Sequence, residues 1–174
     1  RSNISVLFQD YARYHLTAGA NIGLGDIRRP RDGAAVEKAA GTAGAHGLIS
    51  GLPDGYDTVL GRWFRGGREL SAGEWQKIAL ARAFFRDAPI VILDEPTSAL
   101  DAGSEEDLFR RFRELASGRT ALVISHRFST VRMADRIAVL HHGRIAEMGS
   151  HSELMEINGI YSRMYRTQAG LYSP

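Results

Sequence analysis

The amino-acid sequence predicts an α/β fold built on a parallel sheet, and three observations carry that expectation. Two continuous apolar runs, Ile90-Val91-Ile92-Leu93 and Ala121-Leu122-Val123-Ile124, have the form of strands buried on both faces. Between them a helical pattern over 104–117 puts Leu108, Phe109, Phe112 and Leu115 on one side, with Gly118 as its stop. Strand, helix and strand in that order make a βαβ unit with a right-handed crossover.

The remaining elements follow in chain order. Residues 4–8 (Ile-Ser-Val-Leu-Phe) read as a short strand that opens almost at residue 1. A strand needs sheet partners, so its neighbours lie elsewhere, and the abrupt start raises the expectation of sequence upstream. From about 10 to 69 the chain is rich in Gly, Ala and Arg. Weak helical patterns near 33–50 follow Asp32, with Val36, Ala39, Ala40 and Ala43 on one side and boundaries left open by glycines at 41, 44, 47 and 51, and Leu52-Pro53-Asp54-Gly55 signals a turn. Ser71-Ala72-Gly73-Glu74 has the S-x-x-E form of a capping box and opens a helix that runs toward Asp87, with Pro89 beyond it. Ile137–Leu140 and Ile145–Met148 flank His141-His142-Gly143-Arg144 and read as a hairpin. Ser150-His151-Ser152-Glu153 is a second S-x-x-E box starting a short helix. A last helix over 159–168 groups Ile160, Tyr161, Met164 and Tyr165, and the tail 169–174 reads as loose.

Composition excludes several classes of function. Hydrophobic residues make up 44% and charged residues 24% of 174, which argues against global disorder. Lys+Arg is 22 against 20 for Asp+Glu, a net charge of +2, too even for a nucleic-acid binder. Cysteine is absent, so disulfides and Cys-ligated metals are excluded. The six histidines show no ligand spacing on one helix face. No stretch approaches the roughly 20 apolar residues of a membrane span. Lys38 and Lys77 are the only lysines, and neither follows Gly or precedes Ser or Thr, so these residues contain no Gly-x-x-x-x-Gly-Lys-Ser/Thr phosphate loop.

Four places could carry chemistry. Asp94 and Glu95 directly follow the strand 90–93, and open parallel sheets bind ligands at the carboxyl ends of their strands. On a regular strand the two would point in opposite directions and take different jobs: Asp94 holding Mg2+, Glu95 orienting or deprotonating a water. A strand ending in a polar turn explains the pair equally simply. Ser125-His126 stands at the end of the next strand, where a neutral imidazole could donate to a phosphate oxygen or water, or simply satisfy a loop carbonyl. Ser71, Ala72 and Gly73 start a helix whose unpaired N–H groups and dipole suit a phosphate, as do those of many helices that bind nothing. Gln9, after the first strand, could contact Mg2+ or a water. The aromatics Trp63, Phe64, Trp75, Phe84 and Phe85 read as core or interface, and Arg28-Arg29-Pro30-Arg31 as a solvated loop.

Together these segments resemble the ATP-binding cassette (ABC) ATPases, and more narrowly the nucleotide-binding domain of exporter-type transporters. The resemblance runs from about residue 4 to 168. Ser5-Val6-Leu7-Phe8-Gln9-Asp10 is similar to the Q-loop, and Leu52 to Gly61 to the exporter segment before the signature. Leu70-Ser71-Ala72-Gly73-Glu74 stands where Leu-Ser-Gly-Gly-Gln belongs. Ile90 to Glu95 resembles Walker B with the catalytic glutamate, Ser98-Ala99-Leu100-Asp101 the D-loop, and His126 the switch histidine.

The resemblance implies a partial RecA-like P-loop NTPase core, residues 1–13 and 88–168, into which an α-helical subdomain at about 14–87 is inserted. It implies ATP and Mg2+, and a head-to-tail dimer with a second nucleotide-binding domain sandwiching two ATP. Glu95 and His126 would be catalytic. Asp94 and Gln9 would hold Mg2+, with Gln9 also coupling to the transmembrane domain. Ser71 and Gly73 would serve the γ-phosphate across the dimer, and Ala72 and Asp101 would also belong to the nucleotide-binding set. The place would be the cytoplasmic side of the membrane, with substrate choice left to the membrane domain.

The sequence departs from the family pattern at four points. Walker A and the adenine-stacking aromatic are expected upstream of residue 1, so the 174 residues alone are expected not to hydrolyse ATP. Ala72 replaces Gly and Glu74 replaces Gln in the signature, and Trp63-Phe64 replaces an acidic-basic pair. Glu74 disfavours a nearby triphosphate unless it caps its own helix. The competing expectation is a non-catalytic module that self-associates or binds a partner through raw sheet edges. A soluble cassette relative of DNA repair or translation fits less well, given the even charge and the exporter-like 52–61.

Overall fold

The computed structural model describes residues 3–29, 32–63, 66–98, 102–116 and 118–170. Two compact units divide at Ile124/Ser125.

The first unit begins with strand β1 (Ile4–Leu7), one residue shorter than expected, and continues into helix α1 (Ala18–Gly23), capped by the Thr17 hydroxyl. The helical patterns over 33–50 form two helices: α2 (Gly33–Thr42), capped by the Asp32 carboxylate, and α3 (His46–Ser50). The break falls at Gly44, whose φ of 68° leaves the helical region. After a 3-10 turn at Gly55–Asp57 comes helix α4 (Ala72–Phe85), buried on most sides through Trp75, Gln76, Ile78, Leu80 and Phe85. Then follow β2 (Ile90–Asp94), α5 (Ala102–Ala116) and β3 (Thr120–Ile124). Leu108, Phe109 and Phe112 are buried as the helical pattern requires.

The sheet has the order β1-β2-β3, and both pairings are parallel. The register aligns Leu7 with Leu93 and Asp94 with Ile124, so all three strands end on one rim. One face carries Ser5, Leu7, Val91 and Leu93, all buried. Ser5 Oγ donates to the Ala83 carbonyl of α4 at 2.5 Å, which ties this face to that helix. The opposite face carries Ile4, Val6, Leu122 and Ile124 and is open, with Leu122 53% and Ile124 49% exposed. This corrects the expectation that 90–93 and 121–124 are buried on both faces. β2 is covered on one side only, through Val91 and Leu93, while in β3 Ala121, Leu122 and Ile124 are all exposed and Val123 is half-buried.

The second unit holds α6 (Phe128–Val131), the antiparallel strands β4 (Ile137–His141) and β5 (Arg144–Gly149), α7 (His151–Ile157) and α8 (Ile160–Gly170). The hairpin turns through His142 (φ 49°) and Gly143 (φ 74°), the left-handed pair of a two-residue turn that matches strand twist. Ile137, Val139, Leu154 and Tyr161 form its core. Helix α8 extends to Gly170, past the expected end at 168, and residues 171–174 lie outside the described residues.

Candidate functional site

The rim where β1, β2 and β3 end brings three of the expected residues together. Gln9 follows β1 by two residues and is exposed, Asp94 is the last residue of β2, and Glu95 is the next. The main chain of Glu95 still joins the sheet, its N–H donating to the Ile124 carbonyl at 2.9 Å. Its φ, however, is 49°, in the left-handed region that non-glycine residues seldom adopt. The simple strand alternation of Asp94 and Glu95 therefore does not hold. Asp94 belongs to the open sheet face by register, while Glu95 is redirected by a reversal of the backbone. Strained residues of this kind cluster at functional sites.

The turn after Glu95 is held from three directions. Ser98 N–H donates to the Glu95 carbonyl at 3.2 Å. Thr97, fully buried, lies with its hydroxyl 3.5 Å from the Glu105 carboxylate of α5. Gln76 of α4, 1% exposed, donates its side-chain amide to the Glu95 carbonyl at 3.3 Å and reaches Ser98 Oγ at 3.4 Å. Sequence reading passed over Gln76. Its signal was an amide within a helix otherwise apolar on nearly all sides, where a buried polar group needs partners.

Ser71, Ala72 and Gly73 form the start of α4. The capping box is present in both directions: Glu74 N–H donates to Ser71 Oγ at 3.3 Å, and Ser71 N–H to Glu74 Oε2 at 2.7 Å. The Glu74 carboxylate is thus engaged by its own helix. The adjoining Ala72 carbonyl accepts from Tyr11 Oη at 3.0 Å. Burial raises the Tyr11 pKa, against the pull of Arg13, so the phenol stays a donor. Arg82 of α4 donates to the Ala12 carbonyl and to Asn21, both at 2.9 Å, and lies over the Tyr14 ring at 4.7 Å. The segment that follows Gln9 is therefore clasped to α4 along its length.

His126 lies in the second unit, two residues past the end of β3 in the chain. It is exposed, and its carbonyl accepts from Gln168 Nε2 at 3.3 Å. Asp101, Phe64, Pro30 and Arg31 lie outside the described residues, as do Ala99 and Leu100. Trp75 and Phe85 are core residues, whereas Trp63 is 82% exposed and stacks on His15 at 5.0 Å.

Residues 1–98, more than half of the chain, match the family described as ABC transporter. The ATP-dependent lipid A-core flippase of Cupriavidus metallidurans is 45% identical over 169 residues, covering 97% of this chain and 28% of that protein. The flippase of Dechloromonas aromatica is 46% identical over 170 residues, with the same coverage. A solved bacterial Atm1-family ABC exporter with ATP bound superposes with a TM-score of 0.89 at 39% identity, covering all of this chain and 30% of that one. The chain thus spans less than a third of the length of these relatives. The parallel sheet with its flanking helices is accordingly a partial RecA-like core. These matches and the three-strand rim lead to one conclusion: the chain belongs to the ABC transporter family and carries part of an exporter-type nucleotide-binding domain.

Proposed function

We propose that this chain is the ATP-hydrolysing part of an ABC exporter subunit, in which Glu95 orients and deprotonates the water that attacks the γ-phosphate. The observation that carries the reading is the backbone reversal at Glu95 on the rim shared by Gln9 and Asp94. Two hard oxygen donors, the Asp94 carboxylate and the Gln9 amide, fit Mg2+. Among the described residues no cluster of three or more His, Asp or Glu could hold a metal unaided. Mg2+ held by one or two protein donors keeps water and phosphate oxygens in the rest of its shell. Bound Mg2+ neutralises charge that develops on the phosphate oxygens.

In this reading the main phosphate cradle and its lysine belong to sequence outside these residues, and the isolated chain is silent as an ATPase. His126 donates to a phosphate oxygen or the water. The α4 start, Ser71 with Ala72 and Gly73, meets the nucleotide of a second, head-to-tail domain, and Asp101 adjoins the same interface. Its two free N–H groups and the Ser71 hydroxyl proton remain available, because the Glu74 carboxylate is drawn to Ser71 N–H. The helices at about 14–87 form the subdomain through which Gln9 reports to a transmembrane domain on the cytoplasmic side.

The test is Glu95→Gln in the full-length transporter. ATP hydrolysis should fall about a hundredfold or more, the usual scale of a lost general base, while ATP still binds. Wild-type turnover in that variant would remove Glu95 from the role. A second reading, a module that only self-associates, is favoured by the open face of Ile4, Val6, Leu122 and Ile124.

A further inference from the structure

We infer that Gln76 is a positioning residue for the hydrolytic step, holding the Glu95 turn through its side-chain amide. The inference rests on the reading of Glu95 as the residue that handles the attacking water. Three facts carry it. Gln76 is 1% exposed, so its amide is spent inside the protein. Its Nε2 donates to the main-chain carbonyl of Glu95 at 3.3 Å and reaches Ser98 Oγ at 3.4 Å, on the far side of the same turn. Glu95 itself holds a φ of 49°, a conformation that persists only where the surroundings enforce it.

A carbonyl clamped at the residue whose backbone is reversed fixes where the Glu95 carboxylate departs from the chain. Gln76 lies five residues after Ser71, about one and a half turns along the same helix. The clamp therefore joins the helix whose start serves one nucleotide to the turn that serves another. A shift of α4 reaches the Glu95 turn through this amide. Displacements of about 1 Å at a reacting group can cost on the order of a hundredfold in rate.

The experiment uses the full-length transporter with Gln76→Met, which keeps length and loses the bonds to Glu95 and Ser98, alongside Gln76→Asn, Glu95→Gln and the Gln76→Met/Glu95→Gln pair. Gln76→Met should lower kcat for ATP about tenfold or more with KM for ATP within about twofold of wild type. It should cause no further loss in the Glu95→Gln background, because the amide acts through Glu95. Gln76→Asn, one carbon shorter, should recover part of the rate. Wild-type kcat in Gln76→Met, or a loss that adds in full to that of Glu95→Gln, overturns the inference while leaving Glu95 its role. Wild-type kcat in Glu95→Gln overturns the reading beneath it instead. Should Gln76→Met fail to fold, Ser98→Ala removes the second anchor from an exposed position. It should lower kcat about threefold or more without changing KM, and unchanged kcat there counts against the clamp.

Discussion

Gly61 shows how a single residue sets local geometry in this protein. Its φ is 91°, and a Cβ placed on it would overlap the imidazole of His15. That imidazole contacts the Leu60 carbonyl at 3.4 Å and stacks beneath Trp63. Gly61→Ala therefore meets a backbone cost and a ring that has to move. The left-handed backbone alone costs about 1–2 kcal/mol with a side chain present, so the variant should lose about 2 kcal/mol or more. Chemical denaturation should show a lower midpoint at unchanged slope. An unchanged midpoint would mean that the 59–63 loop rearranges freely. Glu95, also left-handed but not glycine, is the opposite case: there the strain is kept because the turn around it is bonded from α4 and α5.

At the scale of elements, four helix starts, those of α2, α4, α7 and α8, are held by carboxylates. Glu74 and Glu153 close capping boxes on α4 and α7, arrangements that contribute about 1 kcal/mol each. Glu147 of β5 accepts from the Ile160 and Tyr161 N–H groups at 2.5 and 3.0 Å and so caps α8 from outside. Main-chain donors hold the pKa of Glu147 below its ordinary 4.5, and the Ser150 N–H and hydroxyl do the same for Glu153. A depressed folded-state pKa stabilises the fold above the ordinary value and loses that contribution as pH falls through the folded one. The stabilisation from these two caps should therefore be full at neutral pH and fall away below about pH 4.5, lowering the denaturation midpoint of the chain in acid. Glu147→Gln should flatten the acid limb and lower stability at neutral pH. An acid limb identical in the variant would show that the cap carries no pH dependence.

At the scale of the whole molecule the open sheet face matters most. β1 and β3 are both edges of a three-stranded sheet, and Ile4, Val6, Leu122 and Ile124 line one side. Exposed apolar surface next to unpaired strand edges favours association. The isolated 174 residues should sediment as dimers or larger species at high concentration. Leu122→Ser with Ile124→Thr should shift them toward monomer with the circular dichroism unchanged. A wild-type chain that sediments as a clean monomer would sink this expectation and the self-association reading together.

What could be read from the sequence was whatever is satisfied within a few residues. The two capping boxes, the Asp32 cap, the hairpin turn at His142-Gly143 and the order strand-helix-strand at 90–124 are legible because their partners are near in the chain. Asp94 and Glu95 could be placed at the carboxyl end of a parallel strand from the strand-helix-strand order, whereas the pairing of β1 with β2, which adds Gln9 to that rim, came from the tertiary structure. Tertiary structure alone decided that β2 is covered on one face and that β3 is largely exposed, since an apolar run looks the same whether packed on one side, two or none. It also decided that Glu95 leaves the strand in a left-handed turn, and that Gln76, nineteen residues earlier, secures it. Burial and backbone reversal are set by groups distant in the chain, and no local pattern records which of them arrive.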